Sequence, residues 1–565
     1  MDVAAIPRAS ARTWPAVPVR PVDHIALSNA DALTRLSGLL AEGRWTEAVL
    51  AAERWLAERG DHPLPLSVAA SARQTQGRLE EALVLFRRRA QLSSADPQAW
   101  VALAACLFQT RRIEESLEAW RKAVVMSPSD PQIACGLANA LRAAGRSAEA
   151  ESLFRQALTT APGWFDAEFG LAMIALETGR IETASALSNG LIGRSPTAPA
   201  ALWLAARTAM ARGDFQAAEA VAGRLSQQPG LVGEQMADTL LLRAEALDRL
   251  DRTTEAFDAV QQAKTLQRRL HAERAADREL EPAKYRRLAD WFAAADPVPW
   301  RANVGGDDAE SPAVSHAFLV GFPRSGTTLL EQALAGHPKI LALEEAPTFA
   351  EPYAEFMMTG DGLARLAVLP DAEFAHWRRR YWAAVAAAGA DPAGRVFLDK
   401  APAGTQYLPL IAKLFPNARV LFALRDPRDV VLSCFRGNFG MNAMTYAFTD
   451  LHDAADCYDA CMTMADTYRQ VLPLNILDIR HEALVDDLRG GIASVCAFLG
   501  LEPTDRMADI AATASGRAVR TPSADQVRAG LSRRGLGRWR LYAGELAPVL
   551  PKLSRWAARF GYQAD

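Results

Sequence analysis

The sequence predicts two architectures in one chain: an all-α array of paired helices, then an α/β domain built on a central parallel sheet. Three observations lead there. Gly43, Gly77, Arg111, Gly145, Gly179 and Gly213 follow one another at a constant step of 34 residues. Beyond residue 315, short apolar runs alternate with helical stretches. After the first of those runs, GFPRSGTTLLEQALAGHP (Gly321 to Pro338) has the glycine spacing of a phosphate-binding loop.

Length and composition support a multidomain globular chain. At 565 residues it exceeds one ordinary core, and with 50% hydrophobic and 23% charged residues it can bury several. A formal charge of −3 gives no global attraction to nucleic acid or to an acidic membrane surface. Six cysteines scattered over this length suit a reducing compartment better than a disulfide framework. Cys457 and Cys461 sit one helical turn apart, but no second Cys or His pair follows at zinc spacing, so no residue is assigned to a metal. Residues 1–28 read as a flexible segment without the apolar core of a signal peptide, and no later run is long enough to span a membrane. A cytoplasmic enzyme with no nucleic-acid partner is the expectation.

The array comes first. Five positions after each repeating residue stands Ala48, Ala82, Ser116, Ala150, Ala184 or Ala218; Phe86, Trp120 and Phe154, then Pro128, Pro162 and Pro196, keep the same step. This pattern resembles the tetratricopeptide repeat and implies helix pairs over 29–285. The glycine ends the first helix, the small residue lets the pair close, and the aromatic fills the gap to the neighbouring pair. A seventh, irregular unit is expected around Arg252, Ala256 and Phe257, followed by a charged helix over 267–288. Such arrays present a concave surface, so the repeats are expected to hold the acceptor or another protein partner, to self-associate, or to act as a spacer. A connecting helix and linker are expected over 286–315, where glycine, proline and acidic residues collect.

The second domain, 316–565, begins with AFLVG (Ala317 to Gly321). RVFLD (Arg395 to Asp399), RVLFAL (Arg419 to Leu424) and NILDI (Asn475 to Ile479) are the other expected strands of a sheet covered on both faces. Ligands of such sheets bind at the carboxyl ends of the strands. After the first run, Ser325, Gly326, Thr327 and Thr328 open a helix whose backbone N–H groups and hydroxyls suit an anion. Thr327 stands where an NTPase has lysine, and Arg324 supplies the charge instead. After the third run, Arg425 leaves the strand and Ser433 lies two turns into the next helix, a second anion site.

PRSGTT after a strand, with LRDPRDVVLS about a hundred residues later, resembles the two cofactor motifs of sulfotransferases. The likeness runs from about Ala317 to Tyr562 and is strongest to tyrosylprotein sulfotransferases and to bacterial proteins that join such a domain to tetratricopeptide repeats. It implies a P-loop-like sulfotransferase domain that uses 3′-phosphoadenosine 5′-phosphosulfate and no metal. The first motif, Arg324 to Thr328, would hold the 5′-phosphosulfate, and Arg425 and Ser433 the 3′-phosphate. Glu345, in HPKILALEEAPTF, matches the family's catalytic base, and Lys400, in LDKAP, its lysine at the leaving phosphate, a task Arg324 would share. Ser523 to Ser532, including Gln526, resembles the loop over the nucleotide, with Arg538 beyond it. His481 stands where the family commonly has tyrosine, and Gly437 where it has arginine, with Arg436 one position early. His337 reads as structural. A protein tyrosine is the acceptor the likeness favours; a carbohydrate, lipid or small phenol, an NTPase activity, and an inactive repeat scaffold are the alternatives.

Overall fold

In the computed structural model the described residues are 28–563 apart from 111, 277, 303–310, 511–512 and 514–530. Contacts divide the chain between Gly170 and Leu171. Helices α1 (Asn29–Ala41), α2 (Trp45–Arg59), α3 (Pro63–Thr75), α4 (Leu79–Leu92), α5 (Pro97–Gln109), α6 (Ile113–Met126), α7 (Pro131–Ala143) and α8 (Ser147–Thr160) form the first unit with the start of α9 (Phe165–Glu177). Then come α10 (Ile181–Arg194), α11 (Pro199–Arg212), α12 (Phe215–Ser226), α13 (Gly233–Arg249) and α14 (Thr253–Ala276).

The repeating positions do what their chemistry requires. Gly43, Gly77, Gly145, Gly179 and Gly213 have φ between 71° and 80°, a conformation that costs glycine least; Arg111 lies outside the described residues. Ala48, Ala82, Ala150, Ala184 and Ala218 are fully buried between helices. Ser116 is buried at the same position, and its hydroxyl donates to the Ala104 carbonyl at 2.7 Å, which offsets the cost of burying it. The aromatics seat on glycine: a β-carbon on Gly136 would lie 2.3 Å from the Trp120 ring, and one on Gly170 2.2 Å from Phe154.

After α15 (Glu281–Ala294) and α16 (Pro297–Arg301), the α/β domain runs β1 (Ser315–Gly321), α17 (Thr327–Ala335), β2 (Ile340–Glu344), α18 (Ala350–Phe356), α19 (Gly362–Ala367), α20 (Asp371–Ala387) and β3 (Val396–Lys400). It continues α21 (Leu408–Leu414), β4 (Arg419–Leu424), α22 (Pro427–Arg436), α23 (Ala443–Ala447), α24 (Leu451–Val471), β5 (Asn475–Arg480), α25 (His481–Asp486) and α26 (Leu488–Leu499). The strands form one sheet in the order β2-β3-β1-β4-β5, with every pairing parallel. The four expected runs are β1, β3, β4 and β5. The fifth, β2, is a short edge strand only partly buried; its ILAL is as apolar as the other runs, but it ends directly in the acidic pair Glu344 and Glu345.

Alternation along the strands feeds two cores. Phe318, Val320, Phe397, Val420 and Phe422 enter one; Ala317, Leu319, Leu398, Leu421 and Ala423 enter the other, against α17 and α26. The first core reaches back into the chain: it takes Leu241, Ala244 and Leu247 of α13, Phe257 of α14, Tyr285, Leu288 and Phe292 of α15, and Trp300 of α16. The first half of the 286–315 segment is therefore docked, because its aromatic side chains carry too much apolar surface to leave in water; Lys413 Nζ also donates to the Pro299 carbonyl at 2.6 Å. All six cysteines are buried free thiols. Among the described residues no helix is long and apolar enough to cross a membrane.

Candidate active site

The site lies where the strands end. β1 stops at Gly321, packed so closely on β4 that a β-carbon there would lie 2.6 Å from the Ala423 carbonyl oxygen. Thr405 Oγ1 donates to the Gly321 carbonyl at 2.6 Å and Ser325 N–H to that of Phe322 at 3.2 Å, which shapes the loop. Gly326, at φ 93°, is the N-cap of α17, and Ser325, Thr327 and Thr328 are buried around it. The first backbone N–H groups of this helix lack intrahelical acceptors and carry its positive dipole end.

Three predicted residues interlock beside that loop. Arg324 Nε donates to Ser433 Oγ at 2.9 Å, and Arg425 Nη1 donates to the Arg324 carbonyl at 3.0 Å. Arg425 Nη2 donates to the Gly535 carbonyl at 2.6 Å. Burial, with Arg425 and Arg436 nearby, pulls the Arg324 guanidinium down to about 10, so it remains cationic at neutral pH but has lost solvent that an anion would replace. His481, first residue of α25, packs on Gly326; burial, then Arg425 and Arg324, lowers its imidazole to about 3, and it is neutral at pH 7. Arg425 Nε and His481 Nδ1 are buried without a hydrogen-bond partner among the described residues. A phosphorylated nucleotide fits this donor set: fixed cations, the backbone N–H groups at the start of α17 and two unused ring or guanidinium nitrogens.

A second cluster forms at the ends of β2 and β3, where Glu344 and Lys400 are register partners. Lys400, fully buried, has its Nζ 2.9 Å from Glu345 Oε1, 3.1 Å from Glu344 Oε1 and 3.4 Å from Glu331 Oε2. Glu345 N–H donates to the Lys400 carbonyl at 2.8 Å, while the Glu345 side chain is 48% exposed. Among the described non-glycine residues only Asp251, Arg324 and Glu345 have positive φ, at 57°, 70° and 49°. Two of the three are thus predicted functional residues, each held in a backbone conformation that costs on the order of 1–3 kcal/mol.

The other predicted residues lie apart from these clusters or outside the described chain. Ser532 is exposed, and its Oγ accepts from Arg534 N–H at 3.2 Å. Arg538 donates to the Asp248 carbonyl at 2.8 Å and to its carboxylate at 2.9 Å. Arg436 pairs with the other oxygen of Asp248 at 2.8 Å, and the Tyr542 hydroxyl also donates to this carboxylate. Ser523 and Gln526 lie outside the described residues. Both ring nitrogens of His337 are engaged, one with the Glu502 carbonyl at 3.0 Å and one with Lys339 N–H at 3.0 Å, in keeping with a structural role.

Sequence reasoning missed Glu331, Asp248 and Asp429. Asp429, on α22, accepts from the N–H groups of Gly537 and Trp539 at 2.7 and 2.8 Å, and burial pushes its carboxyl up to about 6. Its signal was the second acid of LRDPRD; that of Glu331 was a lone charge in the apolar run TLLEQALAG. Asp248 stands in a charged helix where nothing singles it out.

Comparison with known proteins agrees with this layout. Residues 317–505 match the model of the sulfotransferase family, and residues 68–131 and 135–199 that of a tetratricopeptide repeat. An uncharacterized protein of Aquifex aeolicus (strain VF5) is 28% identical over 246 residues, 42% of this chain and 32% of that protein. Protein-tyrosine sulfotransferase 2 of Gallus gallus is 26% identical over 264 residues, 43% of this chain and 68% of that protein. Protein-tyrosine sulfotransferase A of Caenorhabditis elegans is 26% identical over 214 residues, 36% of this chain and 55% of that protein. The chain thus spans from about a third to two thirds of the length of these relatives. Among solved structures, a tetratricopeptide repeat protein from Parabacteroides merdae ATCC 43184 aligns with a TM-score of 0.38 and 15% identity, over 42% of this chain and 92% of that one. The chain joins tetratricopeptide repeats to a domain of the sulfotransferase family.

Proposed function

We propose that this protein transfers the sulfuryl group of 3′-phosphoadenosine 5′-phosphosulfate to an acceptor hydroxyl, that of a protein tyrosine, with Glu345 as the base. The observation that carries the reading is the hydrogen-bonded unit of Arg324, Arg425 and Ser433 beside the start of α17. The bound donor supplies an activated sulfuryl group on a phosphate leaving group. Arg324, Ser325, Gly326, Thr327 and Thr328 hold the 5′ end through backbone N–H groups, hydroxyls and one guanidinium. Arg425 and Ser433 hold the 3′-phosphate, and His481 lies against the nucleotide beside Gly326. Glu345, half exposed, takes the acceptor's proton on Oε1 once Lys400 releases that oxygen. Lys400 and Arg324 place fixed positive charge where the leaving phosphate gains negative charge. The tyrosine acceptor is supported by the similarity to protein-tyrosine sulfotransferases and by repeats able to hold a polypeptide.

Calorimetric titration with 3′-phosphoadenosine 5′-phosphate, adenosine 5′-phosphate and ATP, each with and without magnesium, tests the donor. The expected result is tight, magnesium-independent binding that depends on the 3′-phosphate and is lost in Arg425→Ala. Binding of ATP alone, and only with magnesium, would overturn the reading.

A further inference from the structure

The proposed reaction uses Lys400 but leaves unexplained the carboxylate behind it. Glu331 lies on α17, one turn beyond Thr327, and is fully buried, as is the Lys400 ammonium 3.4 Å away. Strand alternation brings them together: Asp399 turns to Tyr381 and Thr348 on one face of the sheet, at 2.7 and 2.8 Å, and Lys400 to the other, where α17 packs. A buried ion pair gives little net stability over apolar side chains of similar volume; one turn on from Glu331 the same face of α17 carries Leu334 and Ala335, which pack in an apolar core, and one turn back it carries Thr327 and Thr328. Stability alone therefore gives no reason for a carboxylate here.

We infer that Glu331 is a positioning residue for Lys400, holding the ammonium against the helix of the phosphate-binding loop when Glu345 is released to take the acceptor's proton. The inference rests on the reading above, in which Lys400 serves the leaving phosphate. Of the three carboxylates around Nζ, Glu345 is exposed and needed for proton transfer, Glu344 is at the rim with 16% exposure, and Glu331 alone is sealed from water. It is also the one attached to the loop itself, so its contact fixes the distance from lysine to loop whatever the acceptor does to Glu345. Burial lowers the Lys400 ammonium, but Glu331, then Glu345 and Glu344, more than offset this and raise it above its ordinary value. Losing Glu331 removes the largest of those supports.

The test compares Glu331→Gln in the full chain with and without Lys400→Met, using single-turnover loss of the sulfuryl group from the donor to water, which needs no acceptor. The expected result is a rate at least tenfold lower, a high-pH limb shifted to lower pH, and a dissociation constant for 3′-phosphoadenosine 5′-phosphate within threefold of wild type. In the Lys400→Met background the same change should alter the rate less than threefold. An equal loss in both backgrounds, or an unchanged rate in the first, overturns the inference. If the single variant fails to fold, the double variant, which removes both charges, is compared with Lys400→Met by the same threefold criterion. If the wild type binds no 3′-phosphoadenosine 5′-phosphate, the sulfotransfer reading fails on its own. Ligand-free melting then tests the pair: each single change should lower the midpoint and the double change restore it, and additive losses would overturn the inference.

Discussion

Removing Asp248 should loosen a segment distant from it in sequence. This carboxylate, 11% exposed on α13, pairs with Arg436 and Arg538, whose side chains are 19% and 16% exposed, and accepts from Tyr542. Asp248→Ala leaves two largely buried guanidinium groups without their counter-charge, a loss of about 3–5 kcal/mol for a broken buried pair. The segment that pays is 537–542, whose Gly537 and Trp539 N–H groups are held by Asp429. Hydrogen exchange of those amides, followed by mass spectrometry, reads the opening free energy directly. At 1.36 kcal/mol per factor of ten, exchange should accelerate by about 10²·²–10³·⁷-fold. Burial pushes the Asp248 carboxyl up, but Arg436, Tyr542 and Arg538 together hold it below its ordinary value of 3.8. Its contribution is therefore full above that pH and is lost only as pH falls through the lower folded value, so variant and wild type should converge in strong acid alone. Acceleration under tenfold at pH 7 would refute the reasoning, and would mean that Asp251, 3.6 Å from Arg538, takes over the charge.

Two other predictions follow. Glu345→Gln should cut turnover by about 10²–10⁴-fold with nucleotide affinity unchanged, and retention of more than a tenth of wild-type turnover would exclude it as the base. His316 is buried, and burial holds its imidazole down at about 3; its Nε2 lies 2.9 Å from the Tyr381 hydroxyl, whose proton goes to Asp399 at 2.7 Å. Because the folded value is depressed, the unfolded chain takes up a proton that the folded protein refuses, and stability falls as pH drops below 6.5 toward 3. Between pH 7 and 5, wild type should lose about 2 kcal/mol more unfolding free energy than His316→Phe in urea titrations. Asp399, pushed up to about 6 by burial, contributes an opposite slope in both proteins, and equal slopes overall would refute the assignment.

What could be read beforehand was what leaves a local signature. A 34-residue step repeats, a buried strand is continuously apolar, and a phosphate loop must have glycines where the backbone turns, so the array, four strands and the Arg324 to Thr328 loop were all legible. β2 was not singled out although ILAL is as apolar as the other runs, because it is only five residues long and ends in the acidic pair Glu344 and Glu345, which reads as a turn. Asp248 was not, because its partners lie 188 or more residues away and nothing local distinguishes a carboxylate that meets a buried cation from one that meets water; Glu331 showed only a lone charge in an apolar run, with its partner 69 residues away. The docking of α15 and α16 had a signal in Tyr285, Phe292 and Trp300, outweighed by the glycine and acidic run that follows.

The place of α13 and α14 in the catalytic core also decides where this molecule could be recombined. Lys264 of α14 donates to the Gly437 carbonyl at 2.6 Å and Asn438 to Asp238 of α13 at 2.9 Å, so the turn after α22 is built on repeat helices. A graft that begins at β1 would leave that turn, Arg436 and Arg538 with their scaffold missing, although the sheet and the loop would be intact. The last pair of helices in the array is thus a structural part of the α/β domain, and a boundary drawn at β1 would cut through one core.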